Sequence, residues 1–142
     1  MSDNLIAKQE ISINAPAEKV WDALTNPAMV KKYLFGTELS TDWKVGSPVT
    51  YKGVWKGKEY EDKGKVIKNE QGRLLETTYF SPLEGKPDKP ENYKNVKYEL
   101  FPEKGATKIR ITQDNNESEE AKNHSEQNWN TVLKGMKELL EK

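Results

Sequence analysis

Trp55, Tyr79, Tyr98 and Trp129 stand where alternating strands and a helical stripe would aim them at a common interior. Each has an apolar ring and one N–H or O–H, so together they could bury a ring system or alkyl chain and orient it with a few hydrogen bonds. Thr77 and Gln113 share that inward strand parity, and Ser125 and Asn128 fall on the inward side of the helix. These eight residues are the candidate lining of a ligand cavity. For each there is a plainer role as core packing or as a hydrogen-bond partner of a neighbouring strand or helix.

Chemistry beyond binding has little to work with. The chain has no cysteine, which removes thiol nucleophiles, disulfides and Cys-ligated metals. His124 is the single histidine and projects outside the buried arc of its helix, so neither a multi-histidine metal site nor a well-placed triad can be assembled. No metal and no cofactor is expected. Glu59, Glu61 and Asp62 suggest paired carboxylates, but adjacent strand residues point to opposite faces, and a solvated edge is expected for them, as it is for Arg110. Tyr98 is the one residue to name as an acid or base. Lys31, Lys32, Lys134, Lys137 and Lys142 offer a docking surface only if they are more than a solvated face. Trp43 and the cluster Tyr33, Leu34 and Phe35 are explained by short helices packing on the sheet edge.

The elements that would position these residues follow from periodicity. Ile6 to Asn14 alternates as a strand, and Asn14 is expected to cap a helix starting at Ala15-Pro16, with Val20, Trp21 and Leu24 on its apolar side. Asn26-Pro27 ends that helix and starts a second, which stops at Gly36. Period-two patterns then place Val49, Tyr51 and Trp55 on one strand, Leu75, Thr77 and Tyr79 on another, then Val96, Tyr98 and Leu100, then Thr107, Ile109, Ile111 and Gln113. Glu59 to Lys68 is a weaker strand. Such strands make an antiparallel sheet with one wet face. Ser81 to Asn95 is a long irregular loop, either a lid or a tolerated insertion.

A long C-terminal helix is expected from Asn116, whose spacing to Glu119 suits a capping box. At about 100° per residue, Ala121, Ser125, Asn128, Trp129, Val132, Leu133, Met136, Leu139 and Leu140 lie in an arc of roughly 140°. The first half of that stripe is small and polar, the second large and apolar. A concave sheet must cover it, and Ser125 and Asn128 are then placed to face the polar group of a ligand.

At 142 residues one domain spanning 1–142 is expected. Lys+Arg and Asp+Glu both number 23, so no charge excess calls for nucleic acid. No apolar run is long enough to insert in a membrane, and Met1 to Lys8 does not resemble a signal peptide, so a cytoplasmic location is expected.

The order of one strand, two short helices, a long sheet and a final helix resembles the α+β helix-grip fold of the START-like, or SRPBCC, superfamily. The run Ile13-Asn14-Ala15-Pro16-Ala17-Glu18-Lys19-Val20-Trp21-Asp22-Ala23-Leu24-Thr25-Asn26-Pro27 is similar to its opening signature. Trp43 to Ser47, Gly64 to Val66, Arg73-Leu74, Val96 to Leu100, Thr107 to Gln113 and Trp129 to Leu140 match in order. Within it, the chain looks most like the branch named for the C-terminal domain of the activator of heat-shock-protein-90 ATPase, although Tyr33 stands where that branch commonly has tryptophan. The resemblance implies a container for a small hydrophobic or amphipathic ligand, between sheet and helix. It also implies two alternatives: a chaperone-interacting module working through an exposed surface such as Lys31 to Phe35, or a cyclase or hydrolase using a residue such as Tyr98.

Overall fold

Apolar and polar residues alternate along most of the chain, and the strands follow that alternation. The computed structural model describes residues 5–34, 36–55, 57–81, 85 and 87–141, with only the backbone of Trp55. Its elements run β1 (Leu5–Ile13), α1 (Ala17–Thr25), α2 (Pro27–Tyr33), β2 (Glu38–Ser40), β3 (Pro48–Trp55), β4 (Lys58–Glu70), β5 (Leu74–Tyr79), β6 (Lys94–Glu103), β7 (Ala106–Asn116) and α3 (Glu119–Leu140). The strands form one curved, antiparallel, seven-stranded sheet in the order β1-β7-β6-β5-β4-β3-β2. The first strand therefore lies beside the last, and the two edges are β1 and the three-residue β2. This is the α+β helix-grip arrangement. Among the described residues no helix is long and apolar enough to cross a membrane.

The inner face carries Ile13 of β1, Ile109 and Ile111 of β7, Val96 and Leu100 of β6 and Leu75 of β5, all buried. Val20, Trp21, Val30, Leu133 and Met136 pack onto it from the helices. The long helix sits to one side. α3 lies along β1 and β7 and touches α1 and α2, whereas β3, β4 and β5 are not among its main neighbours.

Local expectations fail at three places, two of them because a partner distant in sequence intervenes. α1 begins at Ala17 behind Pro16, without a side-chain cap. Asn14 does not cap it; its backbone N–H instead donates to Glu141 Oε2 at 2.8 Å, at the far end of α3. Asn116 does not cap α3 either, because β7 keeps pairing with β1 as far as Leu5 opposite Asn116. Ser118 takes that role, accepting from the Ala121 N–H at 3.0 Å. The third is β2, which pairs with β3 at the sheet edge. Three residues carry too little alternation to reveal a strand.

The expected weak strand is the 13-residue β4. At Gly64 a side chain is sterically impossible without movement, since a Cβ there would lie 1.8 Å from the Thr78 carbonyl oxygen on β5. The close approach accompanies a register shift between Val66 and Lys68. In the long loop, a 3-10 turn at Pro90–Asn92 precedes β6, and Tyr93 stacks on Phe80 at 5.1 Å while its hydroxyl donates to Asp88 at 2.6 Å. Asp88 also pairs with Lys63.

Candidate functional site

Two polar clusters occupy the inner side of the sheet. The first joins β7 to α3. Strict alternation turns Gln113 inward, but Asn116, three residues on, also faces in because Asn115 adopts a left-handed backbone with φ 57°. That conformation suits asparagine, and the Asn115 side chain holds it by donating to the carbonyls of Glu91 at 2.8 Å and Tyr93 at 3.0 Å. Asn116 Nδ2 donates to the Leu5 and Gln113 carbonyls at 2.8 and 3.0 Å. Its Oδ1 accepts from Ser125 Oγ at 3.1 Å, and Gln113 Nε2 donates to Ser125 Oγ at 3.1 Å. Trp129 Nε1 donates to Gln113 Oε1 at 2.8 Å.

Three of the expected lining residues, Gln113, Ser125 and Trp129, are thus brought together, and their polar groups bind one another. Asn128 is not with them. It is exposed, because it stands at the margin of the inward arc where the helix turns to solvent. Asn116 was missed as a member, since a left-handed residue resets strand parity in a way that spacing alone does not show.

The second cluster lies under β3, β4, β5 and β6. Tyr51 faces Asp62 across the β3–β4 pairing, and both point inward. Asp62 is only 8% exposed, which corrects the expectation of a solvated edge; Glu59 and Glu61, on the opposite parity, are exposed as expected. The alternation rule itself contains this signal, because a strand that turns Glu59 and Glu61 outward must turn Tyr60 and Asp62 inward. Tyr79 Oη donates to Asp62 Oδ2 at 2.5 Å, the length of a charge-assisted hydrogen bond. The Tyr51 and Tyr79 rings stack at 6.4 Å, and the Tyr98 hydroxyl is hydrogen-bonded to that of Tyr51. Tyr98 meets Trp129 edge-on at 5.9 Å, joining the two clusters. Thr77 is buried beside them, while Tyr51, Tyr79 and Trp129 keep part of their surface accessible. The side chain of Trp55, and Phe35, lie outside the described residues.

Burial governs the acidity of these hydroxyls. It pushes Tyr51 up to about 12, helped by the Asp62 charge and opposed by the Tyr98 hydrogen bond. Tyr79 is raised further, by burial first and then by Asp62. Burial also raises Tyr98 and Tyr33. A phenol held protonated in this way is a poor base near neutral pH.

Most of the remaining candidates make contacts within the fold. Tyr33 donates to the Ala23 carbonyl at 2.9 Å, and Trp43 Nε1 to that of Thr25 at 2.8 Å, fastening the short helices as expected. Lys137 donates to the Ser12 carbonyl and pairs with Glu141. Arg110 pairs with Glu10 at 2.8 Å on the wet face, and His124 is exposed. Among the described residues no three His, Cys, Asp or Glu side chains converge as metal ligands.

Comparison with known proteins adds the ancestry. The family model described as Activator of Hsp90 ATPase homolog 1-like protein matches residues 14–141. No curated protein matches. The solution structure of ChR145 from Cytophaga hutchinsonii is 51% identical, with a TM-score of 0.87 over 99% of this chain and 97% of that one. The crystal structure of CV1439 from Chromobacterium violaceum shares the fold at 19% identity, with a TM-score of 0.79 over 96% and 97%. The solution structure of the Aha1 dimer from Colwellia psychrerythraea does so at 22% identity, with a TM-score of 0.74 over 95% of each chain.

Proposed function

The chain belongs to the Activator of Hsp90 ATPase homolog 1-like protein family, and we propose that it holds a small hydrophobic or amphipathic molecule between its sheet and α3, without covalent or metal chemistry. One observation carries this reading. α3 covers the β1–β7 side of the sheet, while the inward-facing Tyr51 and Tyr79 on the other side, packed against the core, still keep part of their residue surface accessible even though burial shifts the acidity of both hydroxyls. Residues that face the interior yet keep accessible surface are the expected wall of an open hollow. Affinity would come from burying the ligand's apolar surface, at roughly 25 cal/mol per Å², with the tyrosine hydroxyls setting its orientation.

Native mass spectrometry tests this on protein purified from its own host, compared with the same sample after denaturation and organic extraction. A stoichiometric small-molecule adduct that extraction removes is the expected result. A bare mass, together with no shift of melting temperature in a screen of apolar compounds, would overturn it, because a ligand at about 100 times its Kd stabilises the native state by about 2.7 kcal/mol.

A further inference from the structure

Of the polar side chains on the inner face, Gln113, Ser125, Trp129 and Asn116 bind one another or backbone, Tyr79 donates to Asp62, and Tyr51 is bonded to Tyr98. A ligand reaches these groups only by sharing or displacing bonds they already make. Thr77 differs. It lies on β5, the central strand of the seven, between Val66 of β4 and Val96 of β6, which are buried in the core. Only 3% of Thr77 is exposed, and among the described residues its hydroxyl makes no hydrogen bond. The oxygen is nonetheless not sealed from water, so it keeps part of that small exposure and opens on the space that the inner face surrounds. A valine would fill the same place with the same branch and no hydroxyl to desolvate. The threonine is therefore a local cost to the fold, of the kind that functional sites carry.

We infer that the Thr77 hydroxyl reads the molecule held between the sheet and α3, and that this molecule carries an uncharged hydroxyl or carbonyl part-way along an apolar body. The inference rests on the container reading and adds the ligand's chemical class. A hydroxyl both donates and accepts, so Thr77 serves a carbonyl or an O–H alike. Its position on the central strand places the group along the body of the ligand and not at its tip. Val66, Val96 and Leu75 around it are apolar and buried, so nothing there compensates a buried charge.

The first readout needs no ligand. Thr77→Val puts a methyl group of the same shape in place of the hydroxyl and loses no hydrogen bond, so its melting temperature should equal or exceed that of the wild type. A fall would mean that the hydroxyl has a structural partner, and it overturns the inference. The second readout compares 2-naphthol with 2-methylnaphthalene, by equilibrium dialysis against the full chain at neutral pH. In Thr77→Val the ratio of the two affinities should move about fivefold toward methylnaphthalene, as for one lost hydrogen bond. Thr77→Ser keeps the hydroxyl and should keep the ratio. A ratio unmoved by Thr77→Val, or moved as far by Thr77→Ser, overturns the role of Thr77 while leaving the container standing, and 2-naphthoate binding as tightly as naphthol does the same for the uncharged class. Binding by none of the three probes overturns both readings.

Discussion

Gln113 is the residue through which strand and helix are tied, because its amide both accepts from Trp129 Nε1 and donates to Ser125 Oγ. Gln113→Ala removes both partners at a buried position and is expected to cost about 1–3 kcal/mol in urea denaturation. Trp129→Phe deletes the indole donor from the other side. The two substitutions combined should cost less than the sum of each alone, since they delete one shared interaction; strict additivity would mean that the hydrogen bond contributes nothing. The inward direction of Gln113, Thr77, Tyr79 and Tyr98 was legible because period two is local. Asp62 was legible by the same rule, but a run of neighbouring carboxylates draws attention to composition before parity. Asn116 was not legible, because its direction depends on the left-handed Asn115, and that conformation is held by the carbonyls of Glu91 and Tyr93 from a distant loop.

Among the elements, β4 is positioned by an absence. Gly64 lets the β4 backbone approach Thr78 of β5 closely, and it lies two residues from Asp62 on the same inward parity. Gly64→Ala drives a methyl group into backbone, so a loss of about 1–3 kcal/mol or more in the melting or urea midpoint is expected. Disturbed amide signals from Asp62 to Val66 should accompany it, and an unchanged spectrum would sink this account of the strand. β1 is positioned by charges. Its Lys8 N–H donates to Glu126 at 3.0 Å and its Ser12 carbonyl accepts from Lys137 at 2.9 Å, so α3 side chains occupy an edge that would otherwise invite another strand. Glu141 completes the seam by accepting from the Asn14 amide, which, with Lys137, holds its pKa below the ordinary 4.5. A carboxylate depressed in the folded state contributes stability above its unfolded value and loses it as pH falls through the folded one. The advantage of the wild type over Glu141→Gln should therefore shrink below about pH 4.5, read as the gap between their melting temperatures across an acid series. A gap constant with pH would assign the contact no electrostatic part. The helix and the longer strands could be read from periodicity, whereas this seam joins residues more than a hundred positions apart and leaves no local trace.

At the scale of the molecule, the fold surrounds four tyrosines that it holds in their neutral form. Tyr33, Tyr51, Tyr79 and Tyr98 come from α2, β3, β5 and β6, and burial raises all four above the ordinary value of 10.0. Below pH 10 the folded and unfolded chains both keep these protons, so the shifts have no effect on stability. Above pH 10 the unfolded chain releases them first and the folded chain does not, so stability falls with each further increment until unfolding sets them free together. Phenolate absorbance near 295 nm should accordingly rise in two parts as alkali is added, with the second coinciding with loss of the far-ultraviolet circular dichroism. Because the four respond to one interior, Tyr51→Phe should move that second step to higher pH, by removing one of the protons that unfolding liberates. A single broad titration centred near pH 10, with the circular dichroism unchanged through it, would mean that water reaches these hydroxyls freely and that the interior is far wetter than the hydrogen bonds of Tyr79 with Asp62 and of Tyr51 with Tyr98 indicate.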